Sequence, residues 1–351
     1  MEAYDFQKEI FENPSSKHLS EVKTFLEKQG LTVDSILQYT VVLKSFGQVV
    51  ATGSFTDNIL KCIAVDKRYR GYGLSNIIVS ELLNEEYRRG NMKLFIYTKP
   101  ENDKLFENFG FYVLERGPKA IVLENSKNGL SKYCENLIKE SVGLDSRILL
   151  STNISAIVMN CNPFTKGHRY LIEQASKKST FVHLFIIAEE KSIFPSDIRY
   201  KLVNEGVQDL NNVIIHKAKD YIISNSTFPN YFLKEVSDVV NSQAIIDAKI
   251  FAKHIAKSLN ISKRYVGTEP YCELTNLYNT VLRNVLLENN IELIELERIK
   301  SNDEYISASK VRELLVNDSV ESVQRFVPKN TYNFLKSDEG KKIICKLKNI
   351  R

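Results

Sequence analysis

The chain has 351 residues, of which 43% are hydrophobic and 26% are charged, and its formal net charge is +5. This length predicts about two domains that can each bury a core, and the mild excess of Lys and Arg suits phosphate-bearing ligands without indicating nucleic acid. The five cysteines form no C-x-x-C pair, which argues against a zinc site or a disulfide framework and predicts a reduced, cytoplasmic protein. We see no signal peptide and no run of about 18 apolar residues, so no membrane segment is expected.

An α+β domain is predicted for residues 1–125. Its apolar patterns predict, in chain order, a helix at 17–29, strands at 36–45, 48–55 and 60–65, a helix from Leu74, a strand at 93–98, a short helix at 103–109 and a strand from Gly110. Before the second helix lies a basic loop that contains Arg70, Gly71 and Gly73. The two glycines free main-chain amides and the helix dipole adds to them, so the loop could cradle phosphate. A glycine turn beside solvated Arg residues is the alternative.

This order of elements, with the R-x-x-G-x-G loop and the later segment at 105–111, resembles the GCN5-related N-acetyltransferase family over about residues 35–124. The resemblance implies that Arg70, Gly71 and Gly73 hold the pyrophosphate of a coenzyme-A-like group. The first strand and helix look abbreviated beside the family's pattern, and no general base for acetyl transfer stands out.

A polar, turn-rich stretch at 124–129 marks the end of the first domain. The predicted organisation is a first domain at 1–125, a linker and connecting helix at 126–150, a second domain at 151–318 and a small helical extension at 319–351. Strands alternate with helices in the second domain. This alternation predicts an α/β fold with a doubly wound, Rossmann-like parallel sheet.

The loop that follows the apolar strand at 154–159 is the most informative stretch of the chain. It carries a T-x-G-H motif, formed by Thr165, Gly167 and His168, at the point where an amphipathic helix begins. Free amides and the positive end of the helix dipole favour an anion there, Gly167 permits a close approach, and the two polar side chains add donors. Alternatively, Thr165 is only a helix cap and the histidine is incidental.

Two later segments also lie next to the start of a helix and carry polar groups. Residues 306–312, I-S-A-S-K-V-R, open a helix with hydroxyl groups, a Lys and an Arg, which are the groups that bind triphosphate oxygens. Residues 267–270, G-T-E-P, end a short strand before another helix. Because the carboxyl ends of parallel strands form the ligand-binding edge of an open sheet, we expect these segments to meet the T-x-G-H loop.

Together these segments resemble the nucleotidyltransferase superfamily, which carries an H/T-x-G-H motif and a distant I-S-x-S/T-x-x-R motif. The resemblance implies that Thr165, His168 and Arg312 are catalytic. It also implies a nucleotide site made of Asn160, Asn162, Pro163, Phe164, Thr165, Gly167, His168, Gly267, Thr268, Glu269, Ile306, Ser307, Ser309 and Arg312. For Glu269, helix capping is an equal alternative to contact with the ribose or adenine.

An acetyltransferase-like domain fused ahead of such a nucleotidyltransferase domain resembles the citrate lyase ligase family over essentially the whole chain. The resemblance implies an AMP-forming acid-thiol ligase. ATP and acetate would give acetyl-adenylate and pyrophosphate, and the acetyl group would pass to the thiol of a coenzyme-A-like prosthetic group on the acyl carrier subunit of citrate lyase. Mg²⁺ is expected to bind the phosphates of ATP and to have few protein ligands. No metal site of the protein's own, no nucleic acid and no membrane partner are expected.

Some questions stay open at this point. Arg199, near a predicted helix start, is either a ligand of the triphosphate or acyl substrate, or a surface residue. Alternative functions are an adenylyltransferase acting on a phosphate ester of the pantetheine or nicotinamide nucleotide type, an acetyl-CoA-dependent acetyltransferase with a nucleotide-sensing domain, and a non-enzymatic nucleotide-binding module. The fused first domain argues against the first of these.

Overall fold

A computed structural model describes residues 6–33, 37–188, 192–218, 220–222, 231–233, 236–268 and 273–349. The chain divides into two compact units, one made of residues 1–129 with 228–246 and the other of residues 130–227 with 247–351. The domain boundaries inferred from the sequence stay predictions. Within the described part of the chain, no helix combines the length and the apolar character that a membrane span requires.

The first unit is built on a seven-stranded mixed sheet. Its elements are β1 (Gln7–Glu12), α1 (Ser16–Lys28), β2 (Tyr39–Ser45), β3 (Gln48–Thr56), β4 (Ile59–Val65), α2 (Leu74–Arg88), β5 (Phe95–Thr98), α3 (Asp103–Glu107), β6 (Tyr112–Arg116) and β7 (Ile121–Glu124). The strand order is β1-β2-β3-β4-β5-β7-β6, and β4 and β5 are parallel. The sequence analysis missed β1, because this edge strand has no buried residue and little apolar alternation.

Residues 228–246 join the first unit through contacts that are distant in sequence. The buried Tyr231 hydroxyl donates to the carbonyl of Tyr97 at 3.0 Å. The amide of Thr32 donates to the carbonyl of Tyr231 at 2.7 Å. The sequence analysis assigned this segment to the second domain, because nothing in its local pattern marks these partners.

The second unit is built on a five-stranded parallel sheet. The elements from α4 onward are α4 (Gly129–Leu144), β8 (Ile154–Met159), α5 (Lys166–Lys178), β9 (Phe181–Ile187), α6 (Ser196–Gly206), β10 (Val213–Ala218), α7 (Val236–Ile250), β11 (Ile261–Gly267), α8 (Glu273–Glu288), β12 (Glu292–Leu296), β13 (Lys300–Ser301), β14 (Glu304–Tyr305), α9 (Ala308–Asn317), α10 (Lys329–Lys336) and α11 (Asp338–Asn349). Of these, α7 belongs to the first unit up to residue 246. The strand order is β10-β9-β8-β11-β12. The predicted doubly wound parallel sheet is confirmed.

The core of the second unit explains why its central strands are apolar runs. Residues of β8 and β9 are covered on both faces, as expected for a parallel sheet with helices on each side. A second cluster, which includes Val311, Phe326, Leu335 and Ile344, packs the C-terminal helices against α9. This packing holds the N-terminus of α9 in place.

Two buried histidines lie side by side on β9 and β10. His183 Nδ1 is 2.9 Å from His216 Nε2, and His216 Nδ1 is 3.3 Å from a carboxylate oxygen of Glu140. Burial lowers the pKa of both rings, so both are neutral at physiological pH. The buried His216 ring also packs against the ring of Phe185.

Candidate active site

The strand order of the second unit creates a topological switch point. From β8 the chain moves outward through β9 to β10, and it returns on the other side of β8 with β11 and then β12. Because all neighbouring strands are parallel, the carboxyl ends of β8 and β11 lie side by side. Open α/β sheets bind ligands in the crevice outside such strand ends. The loops after β8 and β11 carry most of the predicted site residues.

Thr165 and His168 form a capping box at the N-terminus of α5. The amide of His168 donates to Thr165 Oγ1 at 3.3 Å, and the amide of Thr165 donates to His168 Nδ1 at 3.1 Å. The Thr165 hydroxyl also lies 3.0 Å from Nδ1. The ring is stacked 6.1 Å from that of Phe164. These reciprocal contacts satisfy two amides at the helix end and fix the orientation of the imidazole.

The capping box also fixes the tautomer of His168. Because Nδ1 accepts from an amide, the proton of the neutral ring must sit on Nε2. Burial, aided by the positive charge of Arg298, lowers the pKa of His168 to about 4. The ring is therefore neutral at physiological pH and offers one N–H donor of fixed direction. Such a donor suits an oxyanion whose charge grows during a reaction.

Gly167 joins the T-x-G-H motif to the I-S-x-S-x-x-R motif. A Cβ on Gly167 would lie 3.0 Å from the carbonyl oxygen of Ile306, so the close approach that glycine permits is used by the main chain of the second motif. Ser307 follows, and its hydroxyl caps α9 by accepting from the amide of Lys310 at 3.1 Å. The N-termini of α5 and α9 therefore meet, as the sequence analysis predicted for these two segments.

Arg312 extends from α9 to the loop after β8. Its Nη1 donates to the carbonyl of Asn162 at 2.5 Å, and its Nη2 donates to the exposed hydroxyl of Ser309 at 3.2 Å. The side chain is partly buried, and burial lowers its pKa. A guanidinium keeps its charge at neutral pH all the same. A cation between two helix N-termini is well placed for a polyanion that lies across both.

Arg199 has no exposed surface, so the prediction of a surface residue is wrong. Its Nε donates to the carbonyl of Phe194 at 2.9 Å, and its Nη1 donates to the carbonyls of Asn160 at 2.8 Å and Ile187 at 2.5 Å. Nη1 is also 2.6 Å from the side-chain oxygen of Asn160. These bonds tie the ends of β8 and β9 to the start of α6, so Arg199 holds the loop that leads to the T-x-G-H motif.

The other predicted residues of this loop are packed or bonded to the protein. The side-chain oxygen of Asn162 accepts from the amide of Phe194 at 3.1 Å. Pro163 and Phe164 are buried. A Cβ on Gly206 would lie 2.4 Å from the ring of Phe164, which shows how closely α6 covers that ring. The loop is thus held rigidly in front of α5.

The third predicted segment contributes Gly267 and Thr268 at the end of β11, whereas Glu269 lies outside the described residues. The amide of Thr268 donates to the carbonyl of Leu296 on β12 at 2.9 Å. Arg298 contacts Thr268 twice, from its amide to Oγ1 at 3.3 Å and from Nε to the carbonyl at 2.7 Å. The sequence analysis missed Arg298. The available signal was a basic residue just beyond the carboxyl end of the last parallel strand.

In the first unit, Arg70, Gly71 and Gly73 lie in an exposed loop between β4 and α2. Gly71 has φ +86° and Gly73 has φ +74°, a region that L side chains rarely adopt. A Cβ on either glycine would meet nothing within 4 Å. The two glycines are therefore needed for the main-chain conformation and not for packing.

The strands β4 and β5 separate towards this loop. They pair at Ile59 with Phe95 and at Leu60 with Ile96, after which β4 continues beside β3 and β5 continues beside β7. The edge of β4 beyond Leu60 therefore borders a gap that opens beside the loop. A gap between strands can take an extended chain through main-chain hydrogen bonds.

Known proteins are similar to this chain over most of its length. Residues 154–335 match the family described as the citrate lyase ligase C-terminal domain, a span that includes all three predicted segments. The citrate (pro-3S)-lyase ligase of Haemophilus influenzae is 40% identical over 326 residues, which is 91% of this chain and 95% of that protein. The corresponding protein of Escherichia coli is 38% identical over 328 residues, which is 92% of this chain and 91% of that protein.

Two solved structures are also similar to parts of the chain. One is a bifunctional NMN adenylyltransferase/ADP ribose pyrophosphatase from Francisella tularensis, at 21% identity and a TM-score of 0.37, covering 56% of this chain and 52% of that one. The other is an acyl-CoA N-acyltransferase from Pseudomonas aeruginosa, at 13% identity and a TM-score of 0.30, covering 35% of this chain and 100% of that one.

Proposed function

This chain belongs to the citrate lyase ligase family, and we propose that it activates acetate with ATP and transfers the acetyl group to the acyl carrier subunit of citrate lyase. The acceptor is the thiol of a coenzyme-A-like prosthetic group on that subunit. The observation that carries the proposal is the contact between Gly167 and Ile306, which unites the T-x-G-H and I-S-x-S-x-x-R motifs in one site.

The reaction has two steps. Acetate is a poor electrophile, so its carboxylate first attacks the α-phosphorus of ATP in line, and the bond to the bridging oxygen of pyrophosphate breaks. The thiol then attacks the acetyl carbonyl carbon and its proton passes to solvent. The bond between that carbon and the phosphate oxygen breaks, so AMP leaves as the thioester forms. In the first step the protein has little covalent work to do, so positioning and the stabilisation of charge dominate.

The residues of the site divide this work between them. The Nε2–H of His168 donates to the oxygens between the α and β phosphates, where negative charge builds as pyrophosphate leaves. The amide and the hydroxyl of Thr165 both contact the His168 ring, so we propose that the role of Thr165 is to orient that ring. Ser307, Ser309 and Arg312 bind the departing pyrophosphate from the N-terminus of α9.

Mg²⁺ is proposed to enter as part of the ATP complex. In the residues that the structure describes, no group of three or more His, Cys, Asp or Glu side chains could hold a metal ion. Mg²⁺ commonly binds substrate phosphates while it keeps several waters. No step above therefore depends on a protein ligand to the metal.

The first unit is proposed to bind the arm of the prosthetic group. The loop amides around Gly71 and Gly73, with the exposed Arg70, suit its phosphates. The gap between β4 and β5 suits the extended, amide-containing part of such an arm. This unit then positions the thiol and needs no acid or base of its own.

The dependence of pyrophosphate release on the second substrate tests the function. With MgATP, release is expected only when acetate is added, and acetyl-adenylate should accumulate in the absence of the carrier. Release that requires phosphopantetheine or nicotinamide mononucleotide would instead indicate a phosphate-ester adenylyltransferase. Acetylation from acetyl-CoA without ATP turnover would indicate an acetyltransferase, and no turnover with any substrate would favour a binding module.

Replacement of Arg312 by Ala is expected to weaken ATP binding by roughly tenfold or more, the scale of one lost charge-assisted contact. AMP binding should change little, because AMP lacks the phosphates that the guanidinium faces. Calorimetry with each nucleotide measures both affinities. Arg147→Ala, which removes an exposed Arg paired with Asp145 ahead of β8, is the control. Equal losses of affinity for ATP and for AMP would show that Arg312 does not contact the leaving pyrophosphate.

A further inference from the structure

Arg264 is a buried cation in the middle of β11, and part of its guanidinium is not hydrogen-bonded. The residue is 3% exposed. Within the described part of the chain, neither its Nε nor its Nη1 has a hydrogen-bond partner. Its Nη2 makes a long contact of 3.5 Å with the hydroxyl oxygen of Tyr278 on α8. Burial of a charged donor is costly unless an acceptor satisfies it, so these two nitrogens point to an acceptor that binds beside them.

Two aromatic rings and one carboxylate lie close to the guanidinium. Its Cζ is 4.4 Å from the ring centroid of Phe251, in the helical turn that continues α7. The hydroxyl of Tyr278 donates to Oδ2 of Asp247 at 2.5 Å. Burial and then the charge of Asp247 raise the pKa of Tyr278, so this hydroxyl keeps its proton and remains the donor. Tyr278 therefore connects Arg264 to Asp247, and the donors on Nε and Nη1 are left for another acceptor.

Arg264 lies on the face of the sheet that is turned away from α5. The next residue, Tyr265, belongs to the same core cluster as Ile172 of α5. Because neighbouring residues of a strand point to opposite faces, Arg264 points to the face that α8 covers. Its partner position on the central strand β8 is Ala156, whose side chain is a single methyl group. A small residue thus stands beside the guanidinium on that face.

This face becomes accessible just beyond Arg264. Val266 on β11 and Val158 on β8 each lie two residues closer to the carboxyl end than Arg264 and Ala156, and they share the same face. Both valines are partly exposed, whereas Arg264 and Ala156 are buried. Two residues of a strand span about 7 Å, so Arg264 starts roughly that far beneath the accessible floor of the crevice at the switch point.

We propose that Arg264 binds the carboxylate of acetate in this crevice. The proposal rests on the proposed function, because acetate is the substrate whose carboxylate must reach the α-phosphorus. A carboxylate has acceptors and no donors, and it forms charge-assisted hydrogen bonds with a guanidinium. One oxygen accepts from Arg264, and the other keeps the lone pair that attacks phosphorus. The ring of Phe251 and the two valines provide apolar surface for the methyl group.

A carboxylate suits this place better than a phosphate does. The groups that we assign to the phosphates lie at the N-termini of α5 and α9, which meet through Gly167 and Ile306. Helix α5 packs on the opposite face of the sheet from Arg264. In addition, Asp247 is close to Arg264 and repels an anion more strongly as the charge of that anion grows. A small anion with a single charge is therefore favoured.

NMR of the Arg264 side chain tests the site in the unchanged, full-length protein. The signal of its Nε–H group is followed during titration with acetate, with and without α,β-methylene-ATP, whose α–β link does not break. Arg264→Lys, which lacks this group, assigns the signal, and Tyr278→Phe, which alters its neighbour, gives a second assignment. Acetate should shift the signal to saturation, and equal concentrations of chloride or inorganic phosphate should shift it less. A signal that ignores acetate under both conditions, or that responds more strongly to phosphate, overturns the proposal.

Steady-state kinetics of pyrophosphate release give a second test. Arg264→Met is expected to raise the KM for acetate roughly tenfold or more and to change the KM for MgATP by less than about twofold. Arg264→Lys should restore part of the loss, because it keeps the charge without the planar guanidinium. Arg283→Met, which removes an exposed Arg of α8 paired with Glu295, is the matched control and should change neither KM. Equal increases in both KM values, or an unchanged KM for acetate, would mean that Arg264 has a structural role and would overturn the proposal.

The titration needs no turnover, so it separates this proposal from the proposed function and decides the matter even if Arg264→Met does not fold. A chain whose Arg264 signal responds to acetate, but that releases no pyrophosphate, would refute acetate activation and keep the carboxylate site. A chain that releases pyrophosphate with acetate, but whose Arg264 signal ignores acetate, would do the reverse.

Discussion

Replacing His168 by Ala is expected to lower the rate of acetyl-adenylate formation by roughly 10²-fold, the usual cost of losing one preorganised donor to developing charge. The physical reason is the fixed tautomer. Nδ1 accepts from the Thr165 amide, so Nε2–H is the donor that the ring can aim at the phosphates. Acetate-dependent release of pyrophosphate from MgATP measures the rate.

His168→Gln separates this catalytic effect from folding. Gln at the third helical position can accept from the Thr165 amide and so keep a capping box, but its flexible side chain does not hold a donor rigidly in the direction of Nε2–H. Both variants should be slow, whereas only His168→Ala should lose roughly 1 kcal/mol of unfolding free energy through the lost cap. Lys166→Ala, a change at an exposed neighbour, should keep the rate. Wild-type adenylate formation by His168→Ala would show that the active site has been misassigned.

The local part of this site could be predicted from the sequence. Helix α5 begins at Lys166 with Thr165 as its cap, as the T-x-G-H pattern and the apolar spacing after it indicated. The signals for a helix start lie within a few residues of one another, so they can be read directly from the sequence. The meeting of Gly167 with Ile306 required one further rule, that loops at the carboxyl ends of parallel strands share an edge.

The long-range part could not be predicted. Arg199 is buried because its guanidinium bonds to main-chain carbonyls such as that of Phe194, and no side-chain pattern marks a carbonyl as a partner. Arg298 became visible only once β11 and β12 were paired, because its partner Thr268 lies 30 positions earlier. The same reason hid the membership of residues 228–246 in the first unit.

Because residues 228–246 belong to the first unit, this unit should be tested in the full chain. Tyr231 is bonded to Tyr97 and Thr32, so removal of residues 1–125 would leave its segment without these partners. A truncated chain could then fail because it is damaged and not because it lacks a binding site. Point changes in the exposed loop of the full chain avoid this problem.

Gly71→Val in the full chain is expected to leave acetate-dependent pyrophosphate release intact and to slow acetyl transfer to the carrier thiol by roughly 10²-fold, the scale of misplacing a reacting group by about 1 Å. Gly71 has φ +86° and open space around it, so Val strains the main chain and turns the loop amides away from a phosphate. Arg70→Ala should act in the same direction through loss of its charge. Adenylation and transfer are measured separately, with ATP and acetate and then with isolated acetyl-adenylate and carrier.

Gly90→Val is the matched control for strain. Gly90 has φ +84° and is equally open, but it lies at the other end of α2. Gly90→Val should therefore lower the free energy of unfolding by a similar amount without slowing acetyl transfer. If Gly71→Val and Gly90→Val slow transfer equally, strain and not the loop is responsible. Impaired adenylation with normal transfer in Gly71→Val would refute the assignment of the loop to the thiol-bearing arm. Acetylation that uses acetyl-CoA and is lost in Arg70→Ala would instead make the first unit a catalyst in its own right, because positioning alone would no longer account for its effect.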